Sequence, residues 1–307
     1  MQFPDYLKPG DLIGIVCPSG YLPISKTIFA KQTLEAWGFK VLTGKTVGSS
    51  HGYFSEKDEI RLQDLQAQLD NPEIKAIIMG RGGYGLSRII DDLDFTKFLE
   101  QPKWINGFSD ITVLHSHLNN HLNIASLHGP MCGAFQEPNT KLPHLLSLKQ
   151  ALCGDSIRYP IPMDEHNRAG KANGVLVGGN LAILAHLTGS VSQLKTKNKI
   201  LFIEDIGEYL YNIDRMLLNL KRAGFLDNIL GLICGEFSGT KDTDRPFMQN
   251  IYGIILDKVK EFNIPVCFNF PAGHIDNNFT LCLGKEYELI VEENDQVHLN
   301  EIPSVQN

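Results

Sequence analysis

Apolar runs and longer stretches of mixed polarity alternate along the first half of the chain. Runs bounded by turn residues predict strands at residues 12–16, 41–42, 74–79 and 104–105. Apolar residues recur about every three to four positions, the period of a helix with one apolar face, at residues 24–37, 56–69 and 111–118. Ser55 stands where an N-cap would begin the second of these helices. Such alternation predicts a largely parallel sheet flanked by helices.

The same alternation resumes in the second half of the chain and then changes. Apolar runs predict strands at residues 175–177, 199–203, 229–234 and 266–270. Helical periodicity covers residues 181–187, 211–223 and 247–262, and a further helix is predicted at residues 142–152, at the end of the first half. Residues 279–299 alternate between apolar and polar side chains, which predicts antiparallel strands. The second half is therefore predicted to be mixed α/β.

A polar segment at residues 154–174 separates these two halves. It contains proline and shows no sustained period, which is typical of a linker. We therefore predict an α/β protein with an N-terminal domain at residues 1–153, a linker at residues 154–174 and a second domain at residues 175–307.

Composition narrows the class of protein. A chain of 307 residues with 43% hydrophobic content can bury a large core. A formal charge of -7, a pI near 5.8 and the absence of long Lys/Arg runs argue against binding to nucleic acid or to an anionic membrane. No apolar run approaches the roughly 18 residues of a membrane span, and no signal-like segment opens the sequence. We therefore expect a cytoplasmic protein with a small substrate.

The six cysteines show neither a C-x-x-C motif nor regular spacing, and most of them stand in apolar contexts. This pattern favours buried free thiols over disulfides or a zinc site, and it indicates a reducing compartment. The cysteines are Cys17, Cys132, Cys153, Cys234, Cys267 and Cys282.

The most informative turn lies between the predicted strand at residues 104–105 and the helix that follows. Gly107 precedes Ser109 by two residues, and Asp110 comes next. A strand that turns directly into a helix at a serine exposes the side-chain oxygen, while the next backbone N–H faces the same space. Ile111 replaces the second glycine of the G-x-S-x-G elbow, so the pattern is half complete. Ser109 is thus a candidate nucleophile or, alternatively, an N-cap of the helix.

A glycine-rich segment, G-R-G-G-Y-G at residues 80–85, directly follows the predicted strand at residues 74–79. Ligands of parallel sheets bind at the carboxyl ends of strands. The segment is compatible with a phosphate cradle, although its spacing fits neither a Walker motif nor G-x-G-x-x-G. It is equally compatible with an oxyanion hole of backbone N–H groups, or with a tight turn that needs positive φ.

Further polar residues also follow predicted strands. Glu204 and Asp205 end the apolar run at residues 199–203 and are either cleft carboxylates or solvated loop acids. His128 precedes a Gly-Pro turn and is either catalytic or a hydrogen-bonded structural residue. Residues 178–180, Gly-Gly-Asn, are either an anion site at a helix N-terminus or a capped turn.

Three positions supply complementary chemistry, and one of them, His274, follows the predicted strand at residues 266–270 after Pro-Ala-Gly. Ser109, Glu204 and His274 each lie just beyond an apolar strand. Serine hydrolysis requires a hydroxyl nucleophile, an imidazole that takes its proton, and a carboxylate that orients the imidazole. None of the histidines falls in a metal-ligand pattern such as H-E-x-x-H.

Six motifs occur in order between about residues 12 and 284: G-R-G-G-Y-G, G-F-S-D-I-T-V-L-H, H-G-P, G-G-N-L, I-E-D-I-G-E-Y-L-Y-N-I-D-R-M-L and P-A-G-H-I-D-N-N. Together they resemble the LD-carboxypeptidases, serine peptidases of the murein-recycling type, with microcin-C self-immunity peptidases as close relatives. One departure is visible at residues 281–284, where Leu-Cys-Leu-Gly replaces the family's Leu-Pro-x-Gly in what we expect to be a turn.

The resemblance implies a role for each matching residue. Ser109 would be the nucleophile, Glu204 the orienting acid and His274 the general base. The oxyanion hole would be the backbone N–H groups of Asp110 and Gly83. The family fold joins an N-terminal α/β domain through a linker to a C-terminal domain that carries the acid and the base, and its members commonly form homodimers.

The implied substrate is a murein tetrapeptide that loses its terminal D-alanine, with no cofactor or metal. A microcin-C-type immunity peptidase acting on a peptidyl or aminoacyl nucleotide is one alternative, but the loop at residues 238–245 is short and lacks the aromatic residue expected to stack on a base. A non-enzymatic binder of peptide or phosphate is the other alternative, with Ser109 as a helix cap and the glycine segment as an anion nest.

Overall fold

Two six-stranded sheets with flanking helices form the protein, for which a computed structural model describes residues 1–137 and 141–302. The strands are β1 (Leu12–Val16), β2 (Lys40–Thr43), β3 (Ile74–Met79), β4 (Trp104–Gly107), β5 (Ser126–His128), β6 (Gly170–Asn180), β7 (Lys199–Ile206), β8 (Gly231–Ser238), β9 (Val266–Phe270), β10 (Leu281–Leu283), β11 (Glu286–Val291) and β12 (Val297–Glu301). The α-helices are α1 (Ser25–Ala36), α2 (Asp58–Asp70), α3 (Thr96–Glu100), α4 (Thr112–His117), α5 (Pro143–Cys153), α6 (Leu181–His186), α7 (Leu210–Arg222) and α8 (Ile251–Lys258).

The first sheet has the strand order β2-β1-β3-β4-β5-β10, and its first five strands pair in parallel. Successive side chains of a strand point to opposite faces. In β3, Ile78 therefore joins the core beneath α1 and α5, while Ile77 joins the core beneath α2 and α4. The predicted parallel sheet, covered by helices on both faces, is confirmed.

The second sheet has the order β12-β11-β6-β7-β8-β9. Strands β6 to β9 are parallel, whereas β11 and β12 form an antiparallel pair at one edge. Helices α6, α7 and α8 pack on one face of this sheet. The predicted mixed α/β architecture of the second half is confirmed, including its antiparallel strands.

One short strand links the two sheets. Strand β10 follows the predicted boundary by more than a hundred positions, yet it pairs antiparallel with β5 of the first sheet, with Leu281 opposite His128. The expectation of a turn over residues 281–283 is therefore wrong, because these residues form β10; the turn comes at Gly284, whose φ is 97°. Leu281 and Leu283 also join the core of the second sheet.

Two boundaries differ from the sequence expectations. Strand β6 begins at Gly170, inside the predicted linker at residues 154–174, because residues 170–175 pair with β11. Helix α2 begins at Asp58, and the Ser55 hydroxyl donates instead to the Cys17 carbonyl at 2.5 Å. The interpretation of Ser55 as an N-cap is therefore wrong. The division of the chain into domains at residues 1–153 and 175–307 stays a prediction.

All six cysteines are free thiols, and every one except Cys153 is buried. The prediction of buried free thiols is thus confirmed for five of them. Among the helices of the described chain, none has both the length and the apolar character needed to cross a bilayer.

Candidate active site

Ser109 lies at a strained turn between strand β4 and helix α4. Its φ is 64°, in the left-handed region that non-glycine residues seldom occupy, while Phe108 before it is extended. Such a conformation costs on the order of 1–3 kcal/mol and persists where the surrounding structure enforces it. No side-chain cap closes the N-terminus of α4 or of the 3₁₀ turn at Ser109–Ile111. The interpretation of Ser109 as an N-cap is therefore wrong, and its hydroxyl makes no hydrogen bond within residues 1–137 and 141–302.

The glycine-rich segment packs directly against this serine. A Cβ added at Gly82 would lie 2.7 Å from Ser109 Cβ and 3.1 Å from Ser109 Oγ, so only glycine fits there. Gly83 has a φ of 105°, and its backbone N–H has no hydrogen-bond partner in the described part of the chain. The free backbone N–H of Gly83 thus belongs to the residue directly after Gly82, which packs against the serine.

Asp110 ties the serine turn to the glycine-rich segment. Its buried carboxylate accepts hydrogen bonds at Oδ2 from Ser19 Oγ at 2.6 Å and from the Leu86 N–H at 2.9 Å. Burial raises the pKa of this carboxyl group, and the two hydrogen bonds oppose that shift. The side chain of Asp110 therefore fixes its own backbone N–H relative to the loop that contains Gly83.

Glu204 and His274 form a hydrogen-bonded pair at the carboxyl edge of the second sheet. Glu204 is fully buried near the end of β7, and its Oε2 lies 2.7 Å from His274 Nδ1 and 3.2 Å from the His274 backbone N. A Cβ added at Gly273 would meet Glu204 Oε2 at 2.8 Å, so glycine is required before the histidine. The carboxylate therefore fixes both the backbone and the ring of His274.

The environment of His274 favours the protonated imidazole. Burial by itself lowers the pKa, but the hydrogen bond with Glu204 and the charges of Glu204 and Asp205 outweigh burial, so the pKa is raised from its usual value. A hydrogen bond from Nδ1–H to the carboxylate leaves Nε2 as the acceptor of the neutral ring.

Asn180 supports this pair from strand β6. Its Nδ2 donates to Asp205 Oδ1 at 3.0 Å and approaches Glu204 Oε1 at 3.4 Å, while its Oδ1 accepts from the Ile183 N–H at 3.1 Å. Asn180 thus caps α6, which confirms the capped-turn interpretation of residues 178–180. Asp205 is also buried, and burial raises its pKa to about 6. The interpretation of Glu204 and Asp205 as solvated loop acids is therefore wrong.

The structure brings Phe108, the residue before Ser109, into contact with His274 but does not join the serine to the histidine. The ring of Phe108, the residue before the serine, meets the His274 ring edge-on at 4.8 Å between centroids. The backbone N–H of Asn180 donates to Thr112 Oγ1 in α4 at 3.0 Å, which joins the two halves beside the site. Across the described ranges, however, no hydrogen bond links the serine hydroxyl to the imidazole.

His128 lies behind Phe108 and is completely buried. Its ring packs between Phe108, at 5.8 Å, and Phe202, at 4.9 Å, and neither ring nitrogen has a partner among the described residues. Burial lowers its pKa well below the usual value, so the ring is neutral. The expected ring hydrogen bonds are therefore wrong, whereas the burial of His128 agrees with a structural residue.

A cavity of about 660 Å³ adjoins the serine turn. Gly80 and Phe108 line it on one side, and residues 275–277, directly after His274, also contribute to its walls. Over the residues that the structure describes, no group of three or more His, Cys, Asp or Glu side chains is placed to hold a metal ion. A strained serine, a free backbone donor and a partly exposed histidine paired with a buried glutamate make up the arrangement of a serine hydrolase.

Comparison with known proteins agrees with this class. The LD-carboxypeptidase N-terminal domain matches residues 13–129, and the LD-carboxypeptidase C-terminal domain matches residues 173–289. A probable murein peptide carboxypeptidase of Bacillus subtilis is 31% identical over 96% of this chain and 93% of its own. The chain therefore belongs to the LD-carboxypeptidase family and is a peptidase, as its motifs indicated.

Solved structures share this fold. The muramoyltetrapeptide carboxypeptidase from Oxalobacter formigenes superposes with a TM-score of 0.83 at 29% identity, over 95% of this chain and 99% of its own. The microcin C7 self immunity protein MccF, in complex with aspartyl sulfamoyl adenosine, has a TM-score of 0.84 at 23% identity, over 98% of this chain and 99% of its own. The second likeness is one of fold.

Proposed function

We propose that this peptidase releases the terminal D-alanine from murein tetrapeptide by hydrolysing the amide bond between an L-centred carbonyl and the D-residue. The observation that carries the proposal is the hydrogen-bonded pair of Glu204 and His274 next to the strained turn at Ser109. The relatives from Bacillus subtilis and Oxalobacter formigenes, whose names specify murein peptide and muramoyltetrapeptide, support the choice of substrate.

In the proposed mechanism, Ser109 Oγ attacks the scissile carbonyl while His274 Nε2 takes its proton. Glu204 holds the imidazole in the tautomer with hydrogen on Nδ1 and stabilises the imidazolium that forms. The backbone N–H groups of Asp110 and Gly83 donate to the oxyanion. His274 then protonates the departing amine. In the second half of the reaction, His274 takes a proton from the water that attacks the acyl-enzyme and returns it to Ser109 Oγ as the acyl group leaves.

Substrate binding completes this arrangement in our proposal. Catalytic hydrogen bonds are often long or poorly aligned before substrate binds, and they tighten in the Michaelis complex. The hydroxyl of Ser109 has no hydrogen-bond partner in the described chain, so it can align with the imidazole at that step.

The test is mass spectrometry of a murein tetrapeptide, with meso-diaminopimelate as its third residue, after incubation with the protein. We expect a tripeptide that lacks one alanine. Ser109→Ala should lower kcat by about 10⁴- to 10⁶-fold, because the nucleophile is lost. Ser87→Ala, at an exposed serine outside the site, is the matched control and should behave as wild type. Near-normal turnover by Ser109→Ala would overturn the proposal.

The same incubation with an aminoacyl nucleotide separates this function from that of an immunity peptidase. We expect no cleavage, because the loop at residues 238–245 has no aromatic residue to stack on a base. Efficient cleavage there, without release of alanine from tetrapeptide, would favour the immunity function.

We further propose that the enzyme acts in the cytoplasm as a homodimer. The six free cysteines support a reducing compartment, and the family resemblance supports the dimer. Cell fractionation and sedimentation velocity test these two statements separately.

A further inference from the structure

The cavity beside the serine turn has two positively charged groups on its walls that lack counter-ions. Lys26 and Arg81 both line it, and neither takes part in an ion pair in the part of the chain that the structure describes. The guanidinium of Arg81 makes one hydrogen bond, from Nη1 to the Tyr21 carbonyl at 3.0 Å. In contrast, Arg88 on the same loop region is paired with Asp58. Unpaired cations in a concave site attract an anionic ligand.

The remaining charge on the walls does not cancel these two cations. Asp276 is the carboxylate that lines the cavity among the described residues, and its electrostatic neighbour is His144. Burial lowers the pKa of His144, so this ring adds no positive charge near neutral pH. The walls therefore carry an excess of one positive charge in a protein whose formal charge is -7.

Arg81 and the serine turn border the same cavity, since Phe108, the residue before Ser109, also lines it. Arg81 directly precedes Gly82, whose added Cβ would lie 3.1 Å from Ser109 Oγ, and consecutive Cα atoms are about 3.8 Å apart. A carboxypeptidase releases one residue, so the terminal carboxylate lies only about 4 Å from the carbonyl carbon under attack. The anion site and the nucleophile must therefore be neighbours, and Arg81 shares its cavity with Phe108 in the turn that carries Ser109.

We propose that Arg81, assisted by Lys26, binds the free terminal carboxylate of the residue that is released. This inference rests on the proposed carboxypeptidase function and names the group that makes the enzyme an exopeptidase. The planar guanidinium can donate two parallel hydrogen bonds to a carboxylate, whereas an ammonium acts as a point charge. Arg81 is therefore the principal anchor and Lys26 the secondary one.

The experiment compares two substrates, murein tetrapeptide with a free terminal carboxylate and the same peptide with a terminal carboxamide. Wild type should favour the free acid by about 100-fold in kcat/KM, since a charge-assisted bidentate contact is lost with the amide. Arg81→Met should lower kcat/KM for the acid by about 100-fold and leave the amide within about threefold, so the preference disappears. Arg81→Lys should fall between the two because it retains the charge without the fork.

Two further variants keep the result interpretable. Lys26→Met should reduce the preference by about 10-fold, because a single charge contact is removed. Lys31→Met, in α1 and outside the cavity, removes an exposed cation of the same kind and should leave the preference unchanged. An equal loss with acid and amide in Arg81→Met would overturn the inference, because it would indicate general damage to the site.

Binding to the Ser109→Ala protein, measured by calorimetry, separates this inference from the proposed function. We expect the free acid to bind about 100-fold more tightly than the amide, and we expect Arg81→Met in the same background to remove that difference. Equal binding of acid and amide by the Ser109→Ala protein would refute the anion site even if wild type hydrolyses tetrapeptide. Selective binding of the acid by a protein that hydrolyses nothing would refute the function and retain the anion site.

Discussion

The two halves of the active site are built in opposite ways. In the first half, Ser109 has a strained backbone and a hydroxyl without a hydrogen-bond partner in the described chain. In the second half, Glu204 is fully buried and accepts from both the ring and the backbone of His274. The group proposed to form a bond with substrate is left free, whereas the groups proposed to move its proton are fixed. Backbone strain thus characterises the part of the site on the first sheet, and hydrogen bonding characterises the part on the second sheet.

The largest effect in this comparison should come from Glu204→Gln, which keeps the shape of the fixed half and removes its charge. We expect kcat to fall by about 10⁴-fold, as loss of the orienting carboxylate does in serine hydrolases. The carboxylate raises the pKa of His274, so its removal lowers that pKa. Because the neutral ring is the base, the acidic limb of the kcat/KM profile should move to lower pH in the variant.

A pH series of kcat/KM for both proteins measures this shift. Glu59→Gln, an exposed acid on α2, is the control and should reproduce the wild-type profile. An acidic limb that stays in place in Glu204→Gln would show that His274 does not set it.

An intermediate effect should come from Gly82→Ala, which acts on the strained half. The new methyl group would lie 2.7 Å from Ser109 Cβ, so the glycine-rich backbone or the serine turn must shift. A displacement approaching 1 Å in a catalytic group lowers kcat by about 100-fold. Gly253→Ala in α8 is the control, since its nearest contact is Asn250 Oδ1 at 3.3 Å. Unchanged kcat in Gly82→Ala would mean that the serine turn tolerates displacement.

The smallest effect should come from Asn180→Ala, which weakens the support of the fixed half. This variant removes the cap of α6 and leaves the buried Asp205 short of one donor. We expect a loss of about 2–3 kcal/mol in the free energy of unfolding, measured with urea, and a kcat about 10-fold lower. Asn250→Ala removes an equivalent cap from α8, at a site without a carboxylate partner, and should cost about 1 kcal/mol with kcat unchanged. Identical losses in the two variants would contradict a role for Asn180 in supporting the acid pair.

The local pattern of apolar residues was sufficient to predict the strands that form each half of the site. Strands β1, β3 and β9 have the bounds that their apolar runs predicted, because each run reaches a proline or a glycine within two residues of its end. Ser109, Glu204 and His274 follow the apolar runs at residues 104–105, 199–203 and 266–270, although β7 continues past Glu204 to Ile206. The closeness of Glu204 and His274 follows from β7 and β9 being parallel members of one sheet, which the alternating pattern also predicted.

Contacts that depend on distant pairing were not predictable in this way. Strand β10 falls within the alternating residues 279–299, but its partner β5 lies in the other half of the chain, so no local pattern indicates that pairing. Strand β6 begins with Gly170 and Lys171, which give no apolar signal for a strand, and this part of β6 is stabilised by its pairing with β11. The role of Asn180 in hydrogen bonding to Asp205 likewise depends on the register of β6 and β7, although a side-chain amide at a strand end was a usable signal.

The pairing of β10 with the first sheet affects how the segment that carries His274 is held. His274 lies on the segment that connects β9, a strand of the second sheet, to β10, a strand of the first sheet. Because the two ends of residues 271–280 are held by different sheets, the position of His274 depends on how both sheets are placed, whereas Ser109 and Glu204 each depend on one sheet.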